Sequence, residues 1–368
     1  MGENRGGDSS IDSGYATDKS KRDLTNSVEA KGKCADPGIY RCTGEEHKLQ
    51  QFGLDLKPLS GKGLGLVALR DFAKGEEVLL DRALVMVRTG PPSVSWNRQQ
   101  ALSVFRQVAK MNEEEKASLL QLSPRKDSKQ PLVLSIISNN CFNIDLNTFG
   151  VFPNISRINH SCAPNCIDSA GSDATEKRVL ALRRIRQGEE LSLSYLHAPE
   201  GSKAMRAAEL RYWNFVCNCE LCLCEGKGES NLRENIVQML SEVRGFVCLL
   251  EKAQDEEPHM DDDQKRLLSA SIYCDLGKQL DACETLVSLV GQLSHPPPHL
   301  QLSSHLHAAM LSIKKRSLGL AGHQSMSRAE WHLERAERLL EDVPSLRGIF
   351  IHCLARVMLA QVNWSYGR

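Results

Sequence analysis

Two stretches of the chain concentrate residues able to do chemistry. "RINHSCAPNC" runs from Arg157 to Cys166 and sets Asn, His, Ser and Cys in a row, with a second Cys four residues after the first. "FVCNCELCLC" places Cys217, Cys219, Cys222 and Cys224 within eight residues. Cys-x-Cys-x-x-Cys offers three soft thiolates from one short loop, which is three quarters of a tetrahedral zinc site. The fourth ligand can be Cys224 or a cysteine delivered by the fold. A thioredoxin-like redox role would need a strand before the motif and a helix after it, and that context is missing. His160 and Cys162 do not by themselves make a nucleophile and its base, because such groups face one another in space rather than in sequence. A third stretch, "CADPGIYRCTGEEH", holds Cys34, Cys42 and His47 without close paired spacing and reads as isolated thiols.

These residues need a scaffold, and the pattern along the chain suggests one. Residues 1–50 are read as a disordered or weakly ordered tail, since the first thirty are Gly, Ser, Asp and Lys with almost no large apolar residue. "DSGYAT" within it matches a phosphorylation-dependent recognition site only weakly. "LGLVALRDFAKGEEVLLDRALVMV" reads as strands with a turn at Lys74-Gly75. "ALRDFAKGEEVL" from Ala68 returns as "ALRRIRQGEELS" from Ala181, as though two hairpins met the same turn problem with the same residues. Glu189 and Glu190 of the second copy read as turn and surface residues, and neither is assigned as a base.

Between the two β regions, residues 95–125 have helical spacing with Leu102, Phe105, Val108 and Ala109 on one face. "LVLSIISNNCFNI" fits helix or strand. From residue 229 the pattern is helical. Leu268, Ile272, Leu276, Leu280, Cys283, Val287 and Val290 recur every three or four residues, and "HPPPH" at 295–299 breaks the series. A second series runs through Ile349, Cys353, Val357 and Ala360. This third of the chain reads as antiparallel helices without a fixed repeat.

Composition narrows the function classes. Lys+Arg and Asp+Glu both count 46, so no global attraction to nucleic acid or to an anionic membrane follows. No secretory leader and no run of transmembrane length is seen, which points to a nuclear or cytoplasmic, reducing setting. Thirteen cysteines in such a setting read as thiols or metal ligands rather than disulfides.

Asn-His-Ser-Cys, then Pro-Asn, a Gly-Glu-Glu-Leu strand ending in Tyr195, and Cys-x-Cys-x-x-Cys follow in that order. Together they resemble the SET-domain protein lysine methyltransferases with a zinc-binding post-SET segment. The likeness covers about residues 60–225 and is nearest to the fungal SET proteins and the SET-and-MYND branch. "GKGLGL" at 61–66 looks like that family's first glycine motif, and "NCFNI" followed by "GVFPNISRINHSC" is similar to the same branch.

The resemblance implies an α+β fold: a β-rich SET domain of small sheets with a knotted core over 51–228, carrying the helical insert (95–125) and a post-SET segment (210–226), then an all-α region over 229–368. It implies an S-adenosylmethionine-dependent protein-lysine N-methyltransferase. Lys62, Gly63, Leu64, Gly65, Ser156, Asn159, His160 and Phe215 would meet the cofactor. Phe142 and Trp213 would line the lysine channel, and Tyr195 would be the catalytic hydroxyl. Cys162, Cys217, Cys219 and Cys222 would hold a structural zinc, leaving Cys166 and Cys224 spare. The partner implied is a protein substrate, histone or other, met by a monomer that binds neither nucleic acid directly nor membrane.

Two departures stand out. The insert contains no cysteine, so no MYND finger interrupts the domain. Trp213, beside Tyr212, stands where many relatives carry Tyr, and the missing hydroxyl bears on how many methyl groups the pocket accepts. The competing reading is a SET-like scaffold that binds a protein partner without turnover, favoured by Trp213 alone.

Overall fold

The computed structural model of the chain describes residues 45–88, 96–126, 128–145, 147–256, 259, 261–317 and 324–342. Cys34, Cys42, "DSGYAT" and the series Ile349, Cys353, Val357 and Ala360 lie outside the described residues. The first described helix, α1 (Glu45–Gln51), falls inside the stretch that composition assigns to a weakly ordered tail. Leu49 accounts for the difference: it is buried with Leu54 and Leu66 in the main core, so the helix gains apolar burial that the residues before it could not supply.

The described strands are short. They are β1 (Leu54–Leu59), β2 (Gly63–Ala68), β3 (Glu77–Arg82), β4 (Val85–Arg88), β5 (Cys141–Asn143), β6 (Thr148–Val151), β7 (Asn159–His160), β8 (Cys166–Ala170), β9 (Glu176–Ala181) and β10 (Ser192–Leu193). β1 and β2 form an antiparallel hairpin with Leu59 opposite Gly63. Two three-stranded antiparallel sheets follow, in the orders β3-β9-β8 and β4-β6-β5. β7 and β10 pair in parallel over two residues. Phe72, Leu79, Phe152, Ile155, Val179 and Leu191 fill the space between these pieces.

The repeated sequence motif becomes a pair of interlocked turns. The two copies stand 113 residues apart, the separation of Asp71 from Arg184. Each copy bonds to the other in the same way. The Gly75 N–H donates to the Ala181 carbonyl and the Gly188 N–H to the Ala68 carbonyl, both at 2.8 Å. The Ala68 N–H donates to Glu189 O and the Ala181 N–H to Glu76 O. Phe72 bridges its own counterpart, Ile185, and Asp71 pairs with its counterpart Arg184. Within each turn a carboxylate accepts from an arginine six residues earlier and from a backbone N–H three residues earlier: Glu76 from Arg70 and Ala73, Glu189 from Arg183 and Arg186. The two β regions are thus one assembly with local two-fold character.

The insert is helical as the spacing predicts: α2 (Arg98–Lys110) and α3 (Glu113–Leu120), each opened by an Asn capping box. The buried face differs from the predicted one. Val104 is buried while Leu102 and Phe105 are exposed. Gln107 sets the rotation: its side chain accepts from the Met86 N–H and donates to the Met86 carbonyl, occupying the open edge of β4. α4 (Leu132–Asn140) resolves the ambiguous "LVLSIISNN" as helix, running directly into β5. Leu134, Ile136 and Ile137 are all buried, so the segment shows no one-sided period.

Short helices α5 (Lys203–Leu210) and α6 (Glu220–Cys224) flank the thiol loop. Then come α7 (Lys227–Glu256), α8 (Asp262–Gly291), α9 (Pro298–Ser317) and α10 (Gln324–Asp342). On α8 the predicted series buries Leu276, Leu280, Cys283 and Val290, and "HPPPH" supplies the break before α9. Leu302 and Leu306 of α9 meet Leu340 of α10, with Ile167 of β8 packed alongside. No described helix is long and apolar enough to cross a membrane.

Gly75 and Gly188 both sit at positive φ, 80° and 84°, with open space where a Cβ would go. Gly75→Ala and Gly188→Ala should therefore each cost stability through backbone strain alone, by about 1–2 kcal/mol. Denaturant unfolding of the two variants should give similar losses, and an unequal pair would break the equivalence of the turns.

Candidate functional site

The tip of the β1–β2 hairpin stands over β7. Gly63 takes φ +79°, a left-handed conformation that Gly adopts without steric cost. Gly65 is required for a different reason. A Cβ there would lie 2.3 Å from Leu59 Cδ1 and 2.6 Å from Asn159 Nδ2. That close approach lets Asn159 donate from Nδ2 to the Leu64 carbonyl at 3.2 Å. Asn159 also donates to Glu190 Oε1 at 3.1 Å, and Lys62 Nζ donates to Glu190 Oε2 at 2.6 Å. Glu190, read from sequence as a turn and surface residue, instead ties the glycine motif to Asn159. No local pattern marks it, since Glu77, at the same distance from Gly75, meets Arg178 instead.

His160 is buried, and its two ring nitrogens serve two different elements. Nδ1 accepts from the Tyr195 backbone N–H at 3.0 Å. The proton therefore sits on Nε2, which faces Cys162 Sγ at 3.2 Å and donates to it. Burial pushes the imidazole down to about 4, so it stays neutral at physiological pH. The Tyr195 hydroxyl donates to the Ile158 carbonyl at 2.7 Å. Burial first, and then the Glu190 carboxylate, push this phenol above its ordinary range and keep it protonated.

An aromatic group surrounds Tyr195. Its ring centroid lies 5.3 Å from His160, 5.3 Å from Trp213 and 6.4 Å from Phe215. Asn214, between Trp213 and Phe215, takes the left-handed conformation and turns the chain after the 3-10 segment Arg211–Trp213. Tyr212 faces elsewhere: its hydroxyl donates to Ser138 O at 3.0 Å, and the Arg125 guanidinium stacks 4.1 Å over its ring. Phe142 packs edge-on against Phe152 at 6.3 Å and against the main core, and is not one of the rings gathered at Tyr195. Ser156 Oγ donates to Asn140 O, which fastens the turn before β7 to the end of α4.

The sulfur atoms of Cys162, Cys217, Cys219 and Cys222 all lie within 4.8 Å of one another, the single such ligand group among the described residues. Cys162 stands 3.5 Å from Cys222 and 3.9 Å from Cys217. A tetrahedron of thiolates around zinc has edges of about 3.8 Å, from a Zn–S bond of about 2.3 Å, so the set fits such an ion. Cys224 is exposed and outside the group. Cys166 is buried in β8, where burial pushes its thiol up to about 12 and leaves it inert.

Behind the thiols lies a buried charge cluster that sequence reading did not find. Arg206 of α5 is fully buried. It donates to Gly201 O and to Glu225 Oε2, both at 2.6 Å, and reaches Cys222 Sγ at 3.7 Å. Glu225 also lies 3.5 Å from Arg233 Nε on α7. Arg233 continues to Glu229 at 3.0 Å. Nothing in the periodicity marks these residues, because charged side chains on amphipathic helices usually face water.

The SET domain family model matches residues 63–196, the span from the glycine hairpin to the residue after Tyr195. The chain is 26% identical over 168 residues to histone-lysine N-methyltransferase set5 of Schizosaccharomyces pombe, covering 46% of this chain and 50% of that protein. It is 30% identical over 162 residues to histone-lysine N-methyltransferase SET5 of Meyerozyma guilliermondii, covering 40% and 33%. It is 27% identical over 170 residues to histone-lysine N-methyltransferase SMYD3 of Mus musculus, covering 40% and 39%. The chain spans half or less of the length of these relatives. The fungal and SMYD-like relationship implied by the motif order is therefore found.

Arg206 and Glu225 carry side chains with no exposure at all. Arg206→Met should destabilise the protein by about 2–3 kcal/mol, because it takes the nearest ion partner from a buried carboxylate and leaves it Arg233 at 3.5 Å. Adding Glu225→Leu should recover a large part of that loss in thermal or denaturant unfolding. A double variant no better than the single would show that the arginine acts mainly through its packing.

Proposed function

We propose that this chain is an S-adenosylmethionine-dependent protein-lysine N-methyltransferase whose four-thiol group holds a structural zinc. The observation that carries the proposal is the convergence on Asn159–His160. The glycine hairpin, Tyr195, the Trp213–Phe215 loop and the thiol group all meet that two-residue strand. The relatives named above are histone-lysine methyltransferases, which supports a lysine of a histone or of another protein as the acceptor. A nuclear or cytoplasmic setting suits free thiols of this kind.

The cofactor, when bound, supplies a methyl group already activated on a sulfonium sulfur. The chain has to exclude water, keep the incoming lysine amine uncharged and aim its lone pair. The Trp213 and Phe215 rings beside Tyr195 give an apolar wall, and such surroundings disfavour an ammonium. The transfer would exchange one carbon–sulfur bond for one carbon–nitrogen bond, and the methylated lysine would leave as an ammonium that sheds its proton outside the site. Tyr195, held by the Ile158 carbonyl and by its own backbone bond to His160, presents a fixed hydroxyl to the reacting groups. Fixed placement of this kind supplies much of the rate.

Lys62, Gly63, Leu64, Gly65, Asn159, His160 and Phe215 are the proposed cofactor contacts. Because the His160 imidazole is engaged by Tyr195 N and Cys162 Sγ, its contact with a ligand would come through backbone or ring edge. Ser156 acts through the turn it fastens. Trp213 is the proposed channel wall, with Phe142 a more distant contributor through Phe152. Zinc bound by four thiolates leaves no open position for water, so its role is to fold the loop that carries Trp213 and Phe215. The scaffold reading rests on Trp213 alone and has no further support.

Tyr195→Phe should keep fold, metal and cofactor affinity while methyl transfer falls roughly a hundredfold or more. Transfer of labelled methyl groups to histones and to a mixed protein extract reads this directly. Equal activity of the variant would remove Tyr195 from the reaction. Cofactor binding by the wild type with no transfer to any protein offered would favour the scaffold.

Metal analysis should find one zinc per chain. Cys219→Ser should lose it and Cys224→Ser should retain it. Zinc surviving Cys219→Ser would mean a different ligand set.

A further inference from the structure

The carboxamide of Asn159 has its orientation dictated by its neighbours. Its Nδ2 group lies 3.2 Å from the Leu64 carbonyl and 3.1 Å from Glu190 Oε1. Both partners are obligate acceptors here, since a carbonyl has no proton to give and an ionised carboxylate has none either. The amide nitrogen must therefore face them, and both of its protons are used. Rotating the group by half a turn would set oxygen against oxygen at both contacts. Asn159 Oδ1 is left pointing away from the hairpin and from Glu190, with no hydrogen bond to any described residue.

Glu190 is itself restrained. Its second oxygen accepts from Lys62 Nζ at 2.6 Å, and its side chain is only 24% exposed. The carboxylate is thus a bridge between the tip of the glycine hairpin and the β7 strand, with its charge balanced by Lys62. Its counterpart in the first copy of the repeated turn, Glu77, meets Arg178 instead and bridges nothing at the site. The two copies keep the same residue here, and only its surroundings differ: Glu190 meets Lys62 and Asn159, whereas Glu77 meets Arg178.

We infer that Glu190 is a positioning residue. It locks the Asn159 carboxamide so that Oδ1 is offered, as a preset acceptor, to the amino-acid end of the cofactor, whose ammonium group is the donor. The inference rests on the cofactor reading given above. Without Glu190 the Leu64 carbonyl alone holds the amide. The side chain can then turn, and a ligand must freeze it on binding.

The test uses zinc-loaded protein, Glu190→Ala and Glu190→Gln. In the Gln variant a single carbonyl oxygen must choose between Asn159 and Lys62, so it should fall between wild type and Ala. Calorimetry should show S-adenosylmethionine affinity about tenfold or more weaker in Glu190→Ala. The affinity for 5′-methylthioadenosine, which keeps the adenosine and methylthio group but lacks the amino-acid end, should be unchanged. Unchanged S-adenosylmethionine affinity would overturn the proposal. So would an equal loss for both ligands, since that would mark a general structural role. A second arm needs no ligand: in nitrogen-15 spectra the Asn159 side-chain amide protons should be protected in the wild type and lose protection in Glu190→Ala. If the wild type binds neither compound, the cofactor reading fails, and the amide spectrum still decides for or against the lock.

Discussion

One imidazole joins the parts of this site. His160 accepts a hydrogen bond from the Tyr195 backbone N–H on one nitrogen and donates one to the Cys162 sulfur from the other. The first contact fixes the tautomer and so determines the second. The segment carrying Tyr195, the β7 strand and the thiol group are thereby held in a set relation. β7 and β10 pair over only two residues, too few to hold that relation alone. The rest of the arrangement follows from it. Cys162 is thrown towards Cys217, Cys219 and Cys222, and the loop before those cysteines lays Trp213 and Phe215 beside Tyr195.

The buried charges behind the thiols extend the same unit into the helical region. Arg206 touches both Cys222 and Glu225, and Glu225 lies against Arg233 of α7. Ions this deeply buried persist only when they are paired. The pairing therefore couples the thiol loop to the first long helix, and α7 cannot shift without exposing or stranding a charge. A metal held by four thiolates would add negative charge beside Arg206, which the guanidinium is placed to offset.

Much of the site was legible because its chemistry is local. Asn-His-Ser-Cys and the Cys-x-Cys-x-x-Cys loop each announce themselves by residue type and spacing, whereas the strand expected to end in Tyr195 is a turn at Gly188 followed by β10, which stops at Leu193. The four thiols implied by family resemblance are the four whose sulfurs meet. Three features were hidden for physical reasons. Glu190 acts through a contact 128 residues away, with Lys62, and no local pattern records such a pairing. Arg206 and Arg233 look like solvent-facing helix residues until tertiary contacts remove the solvent. The face of α2 was misjudged because Gln107, a polar residue, anchors the helix to the β4 edge, overriding the larger apolar surface of Leu102 and Phe105. The repeated Ala-Leu-Arg turn was visible as two copies, but their mutual embrace depends on backbone hydrogen bonds that side-chain patterns do not encode.

The central claim is that the thiol group, the Asn159–His160 strand and the aromatic loop form a single unit, so that metal and cofactor sites are coupled. The most direct measurement is calorimetric titration of S-adenosylmethionine into the same protein before chelation, after chelation and after zinc is restored. The account predicts strong loss of affinity on chelation and recovery with zinc, while circular dichroism shows the β sheets retained. Undiminished affinity in metal-free protein would contradict it, because the cofactor site would then stand without the loop that the metal is said to fold.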